Sequence, residues 1–156
     1  MKKYKLTDET KWLYGRTLHR IVALRDFGNV RKGDIGGWIE KEDNLSHEGS
    51  CWVYDHAQVY DHAQVSGNST VSGNSHVCGN AQICCDTKIS DKADYIVFKN
   101  WWSSGRYFTW TRSNNMWSVG CFYGTGDELI KKAYADNEDK GKHYKDIVEY
   151  VNRCVL

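Results

Sequence analysis

Net charge is nearly missing from this 156-residue chain, in which 21 Lys and Arg face 20 Asp and Glu. A basic footprint of the kind that holds double-stranded nucleic acid by its phosphates is therefore not expected. Long apolar runs are missing too. The opening stretch MKKYKLTDETKWLY carries lysines with no apolar segment behind them, so neither a secretory leader nor a membrane contact is expected, and the expected location is the cytoplasm. Paired-cysteine motifs are the third absence. None of the six Cys sits in a CxxC pair, and Cys84 and Cys85 are adjacent. Free thiols filling small sites are expected, with no disulfide framework, metal or cofactor. What the chain does have is aromatic side chains, seven Trp and ten Tyr, on a polar background, the composition of a folded domain.

From Asn44 the sequence divides into nine six-residue units: NLSHEG, SCWVYD, HAQVYD, HAQVSG, NSTVSG, NSHVCG, NAQICC, DTKISD and KADYIV. The fourth position holds Val53, Val59, Val65, Val71, Val77, Ile83 and Ile89 in succession, and the second is small almost throughout. A short strand alternates its side chains, so the second and fourth positions point inward and the third and fifth outward. Gly-Asn and Asp-His pairs then turn the chain, because such residues tolerate tight corners. Three units make one turn of a triangular prism, which stacks Val53, Val71 and Ile89, and likewise Val59, Val77 and Tyr95. At about 4.8 Å per layer, three coils stand about 15 Å tall.

This hexad resembles the repeat of left-handed parallel β-helix proteins, among them the hexapeptide-repeat acyltransferases and, closer still, the YdcK-like solenoids. The expected fold class is mainly β: a short left-handed parallel β-helix of about three coils over residues 44–97, an N-terminal β cap over 1–43 and a C-terminal α+β cap over 98–156. Arg16–Phe27 reads as the cap strand. Gly36 and Gly37 imply close backbone packing, with the Trp38 indole plugging the prism end. After the repeats, aromatic and polar residues alternate over 98–123 as two or three strands turning at Ser-Ser-Gly and Ser-Asn-Asn. Thr125 then caps a helix with Asp127 and Glu128 in its first turn, and a second helix runs from His143 to Cys154.

The segments Arg20–Ser46 and Gly120–Glu128, together with the repeats, are similar to a family of bacteriophage and prophage proteins without an established activity. In those proteins the second segment reads G-C-F-x-G-T-L-D-E-F, whereas here Gly126 and Leu129 replace its apolar and aromatic positions. The resemblance implies a phage-type accessory protein acting in the cytoplasm of a bacterial host.

The chemistry has several candidates. The acyltransferases that the repeat resembles use a histidine as general base, and His47, His56, His62 and His76 are the histidines of the repeat region. His47 reads as an inward cap residue, His56 and His62 as corner residues, and His76 as outward-facing. None lies on an inserted loop. Cys78 and Cys84 fall on different faces and cannot converge on a metal. Trp101, Trp102, Arg106, Phe108, Trp110 and Arg112 form the binding candidate, since aromatics interleaved with arginines stack a base and pair its phosphate. Alternation places Arg106, Phe108, Trp110 and Arg112 on one face. Arg25 and Asp26 form a local ion pair or line a crevice against the first coil.

Trp52, Tyr54 and Tyr60 form an outward apolar patch for self-association, with a homotrimer preferred. The leading function is a non-enzymatic protein binding a host factor or nucleotide-like ligand, one form of which is interference with host defence, hence no catalytic residue. The alternatives are a trimeric hexapeptide-repeat acyltransferase and a structural scaffold or virion component.

Overall fold

The chain begins with a strand that its polar sequence conceals. In the computed structural model, which describes residues 1–102 and 104–155, β1 (Tyr4–Leu13) pairs antiparallel with β2 (Arg16–Ala23). Tyr14 and Gly15 join them at φ 48° and 83°. Two successive positive φ values give a tight hairpin turn whose twist matches the strands. β2 pairs in turn with β3 (Ile35–Ile39). A Cβ on Gly36 would meet Ile21 Cγ1 at 2.7 Å, and one on Gly37 would meet the Ala57 carbonyl at 2.6 Å. The expected close packing is there. Gly37→Ala should therefore lower stability by about 1–3 kcal/mol in urea melts, and an unchanged midpoint would contradict this packing.

Seven two-residue strands follow: β4 (Trp52–Val53), β5 (Gln58–Val59), β6 (Gln64–Val65), β7 (Thr70–Val71), β8 (His76–Val77), β9 (Gln82–Ile83) and β10 (Lys88–Ile89). The seven branched residues from Val53 to Ile89 are at most 1% exposed, as are the small residues two positions before each. The inward positions fall as expected, whereas the outward Trp52, Gln58 and Tyr60 are buried as well. Val53, Val71 and Ile89 share a register, as do Val59 and Val77.

The expected fold class is not what forms. Instead of one left-handed β-helix with caps, the described ladders separate into several sheets. These are the mixed sheet β1-β2-β3-β5-β8, the parallel sheets β10-β7-β4 and β6-β9, and an antiparallel sheet at the C-terminal side. Two-residue strands end at every corner, so no ladder among the described residues passes from one face to the next. The N-terminal hairpin takes β3, β5 and β8 into a sheet of its own.

The repeat also contains an interruption. Ile39 faces Val59 and Leu45 faces Val65, twenty residues on, whereas Val53 faces Val71, eighteen on. Two residues are thus inserted between Leu45 and Val53, in the segment that carries His47. Tyr95 departs as well. It opens β11 (Tyr95–Lys99), pairs with Thr111, and gives its hydroxyl hydrogen to the His76 carbonyl at 2.9 Å.

β11 begins an antiparallel sheet continued by β12 (Tyr107–Thr111), β13 (Met116–Val119) and β14 (Phe122–Gly124). Of the expected Ser-Ser-Gly turn, Ser103 lies outside the described residues. Both faces of β12 are covered. Phe108 and Trp110 pack with Trp117 and Tyr144 beneath the helices. On the other face, the Thr109 hydroxyl accepts the Gln82 N–H at 3.0 Å. Ser113, just beyond β12, accepts the Lys88 N–H in the same way. Hydroxyls thereby satisfy amides at the edge of the parallel ladders, which would otherwise be open to another strand.

Helix α1 (Gly126–Asp136) has the expected Thr125 cap, completed by Glu128 in a capping box. A Cβ on Gly126 would lie 2.6 Å from Val148 Cγ1, which explains why no apolar residue stands there. Helix α2 (Glu138–Val155) starts five residues before the expected His143, because Asn137 Oδ1 accepts the Lys140 N–H and caps it. No helix among the described residues is long and apolar enough to cross a membrane.

Trp38 does not plug an end. It lies on the outer side of the mixed sheet with Leu18 and Tyr60, between the cations of Lys11 and Arg20 at 4.7 and 4.6 Å from its ring. The N-terminal end is closed by Tyr4 and Lys3, both fully buried. Lys3 Nζ donates to the Cys51 carbonyl at 2.7 Å, and burial lowers its pKa.

Candidate functional site: a furrow from His62 to Arg106

Most of the aromatic candidates turn out to be core. Phe108 is fully buried and Trp110 is 2% exposed, its indole N–H donating to Asn115 Oδ1 at 2.8 Å. Arg112 donates through Nε to the Ala93 carbonyl at 3.2 Å and lies 3.8 Å from Asp94. It ties the C-terminal sheet to the last hexad instead of joining Arg106. Arg25 donates to the His47 carbonyl and Asp26 accepts the Lys32 N–H, so the two acidic and basic groups anchor separate loops. Alternation mis-sorted these residues because helices cover one face of β12 and the parallel ladders the other.

The proposed interface patch is also core. Trp52 is 1% exposed, edge-on to Phe27 at 5.2 Å and Tyr4 at 6.1 Å. Tyr60 is buried under the Arg16 guanidinium, and Tyr54 is half-buried against the main core. The N-terminal hairpin and the loop around Phe27 cover what was expected to face a second subunit. These side chains offer no apolar face for a trimer.

The histidines differ in what their nitrogens can do. His47, on the two-residue insertion, stacks on Tyr4 at 4.2 Å, and its Nδ1 accepts the Lys3 N–H at 3.1 Å. Its protonated nitrogen is then Nε2, 3.5 Å from Glu42. Neither nitrogen is open to substrate. His76 Nδ1 lies 3.4 Å from the Tyr60 hydroxyl, beside a depression of about 530 Å³ at the Gly73 and Ser90 corners. His56 and His62 are exposed at corners, and no hydrogen bond to the His62 ring is found among the described residues.

His62 opens onto a chain of depressions. The first is lined by Lys41, Asp43, His62 and Gln64. Gln64 also lines the second, with Gln82, Cys84, Ser118, Cys121 and Phe122. Cys121 and Phe122 pass into the third, whose walls carry Arg106, Lys132 and Lys140 over Leu129 and Ala133. The three depressions follow one another through shared lining residues, Gln64 and then Cys121 and Phe122, and this row along the β6-β9 face, past the antiparallel sheet and to the helices, is called the furrow below.

Its two ends differ in charge. Lys132 Nζ sits 5.4 Å over the Phe122 ring, and Lys140 Nζ pairs with Asp136 at 2.5 Å. Arg106 stands exposed beside Gly120, and no carboxylate pairs with its guanidinium among the described residues. Three cations, of which only Lys140 is in an ion pair among the described residues, can hold a polyanion such as a pyrophosphate. The middle carries half-buried thiols: burial pushes Cys84 up to about 11, with Cys85 Sγ 3.0 Å away. Cys84 is therefore a neutral thiol at physiological pH and a poor nucleophile. No group of three or more His, Cys, Asp or Glu side chains among the described residues is arranged for a metal ion.

Lys132 and Lys140 were invisible as site residues in the sequence, because only the packing of α1 and α2 brings them to Arg106.

No family model matches the chain, so the phage-type family expected from its sequence is not established. The chain is similar to an uncharacterized acetyltransferase, YdcK, of Escherichia coli (strain K12), with 40% identity over 63 residues. That match covers 35% of this chain and 19% of the relative, so the chain spans about a fifth of the relative's length. The relative's name points toward enzyme activity, against the expectation of a non-enzymatic protein.

Proposed function

We propose that the protein transfers an acyl group from a phosphorylated thioester, of the acetyl-CoA type, to an amine or hydroxyl acceptor. The observation that carries this is the furrow itself, with cations at one end and an unengaged histidine at the other. The similarity to an acetyltransferase supports the same chemistry. Arg106, Lys132 and Lys140 hold the donor's phosphates. The Phe122 ring and the Gln64 and Gln82 amides line the path of its pantetheine arm, which delivers the thioester beside His62. The His62 ring takes the proton from the acceptor as its nitrogen or oxygen attacks the carbonyl, and returns it to the departing thiolate.

Calorimetric titration with acetyl-CoA tests the donor end. Arg106→Ala should weaken binding by about tenfold to a hundredfold, the value of a charge-assisted hydrogen bond, and added salt should weaken the wild type more than the variant. Equal affinities of the two proteins, or no binding by either, would contradict the assignment.

A further inference from the structure

A fourth depression is lined by Trp102, Asn137, Asp139 and His143, and shares Lys140 with the one that Arg106 lines. Trp102 stacks on His143 at 4.5 Å and 20°. Trp101 stands nearly perpendicular to both rings, at 84° and 6.0 Å from Trp102 and 76° and 6.4 Å from His143. Two aromatic walls thus meet in a corner. They are not equivalent in the fold. Trp102 packs edge-on against Phe108 and Tyr144 and belongs to the core beneath α2. Trp101 is 80% exposed, and packing gives no reason for an indole in that place.

We infer that this corner is the base-binding subsite for a nucleoside phosphate, the heterocycle stacking on Trp101 and the phosphates reaching Lys140 and Arg106. A planar heterocycle recovers the apolar face that Trp101 leaves in water, and stacking of this kind tolerates any base. Asp139 contributes a negative charge, which suits neutral ribose hydroxyls or an exocyclic amine as donors and repels phosphate. Phosphate is therefore directed to the Lys140 side. Such a corner is of no use to a bare phosphopantetheine arm, so the donor is one that carries a nucleotide. That last step rests on the acyl-transfer reading; the subsite itself does not.

Calorimetry with ADP and with ribose 5-phosphate on the full chain tests the subsite. ADP should bind, Trp101→Ala should weaken it about tenfold, and ribose 5-phosphate should bind the wild type no better than ADP binds the variant. Trp101 is exposed, so the variant should keep the wild-type near-ultraviolet circular dichroism. No ADP binding, or equal ADP binding by both proteins, overturns the subsite. Transfer from acetyl-phosphopantetheine at the acetyl-CoA rate, unaffected by Trp101→Ala, would overturn it while leaving acyl transfer standing. Trp101-dependent ADP binding without turnover of acetyl-CoA would do the reverse.

Discussion

Trp52→Ala should destabilise the fold by about 3–5 kcal/mol, the cost of removing a large aromatic side chain from a packed core. The indole is 1% exposed and touches elements from three parts of the chain: Phe27 in the loop after β2, Tyr4 in β1, and Gly36 in β3. A cavity there has no flexible wall to collapse, because Val53 and Cys51 on either side are themselves buried in the parallel ladders. Denaturant melts followed by circular dichroism measure the effect. A subunit-interface role would give another outcome: a protomer of nearly unchanged stability and a smaller particle in light scattering.

His62→Ala should lower the rate of acetyl transfer by about a hundredfold to ten-thousandfold, the range for loss of a general base, with little change in stability. The side chain is exposed at a corner, while the turn is held by neighbouring groups. The His62 N–H donates to the Gly79 carbonyl at 2.9 Å, and Asp61 accepts the Gly79 N–H at 3.1 Å and pairs with Arg16. Affinity for acetyl-CoA should stay near the wild-type value, since the phosphates are held at the other end. His76→Ala is the control. His76 faces the β5-β8 side, away from the furrow, so its loss should leave turnover intact. Turnover lost in His76→Ala and kept in His62→Ala would place the chemistry beside Ser90 instead.

The inward positions of the hexads were readable because a six-residue period with a branched residue at one place and a small one two earlier has one burial solution. Where that period broke, the reading broke with it. Leu45 fitted the small second position by spacing, so the shift that sets it against Val65 went unseen, and His47 was placed in an uninterrupted repeat. β1 was missed because an edge strand needs little apolar alternation, and most of its side chains are exposed or half-exposed. The assumption of a prism then carried Trp38 to an end and Trp52 to an outer face. The hairpin that packs over both residues could not be inferred from hexad spacing.

The site was harder to read still. Composition pointed at tryptophans and arginines in one stretch, and Arg106, Trp101 and Trp102 do border the furrow or the fourth depression. Phe108, Trp110 and Arg112 had the same pattern and went into packing, because β12 is covered on both sides. His62 looked like a corner residue, interchangeable with Asn68 or Asn74, and as backbone it is one. Only the alignment of Gln64 over Gln82, and of both with Ser118 and Phe122, gives its side chain a furrow to face.

Amide hydrogen exchange in the presence and absence of acetyl-CoA tests the furrow most directly, since it reports every segment at once. Protection should appear around His62–Ser66, Gln82–Cys84, Ser118–Tyr123 and Leu129–Lys140, and Arg106→Ala should diminish it along the whole length. Protection confined to Gly73–Lys92, or no protection at donor concentrations that sustain turnover, would contradict the account.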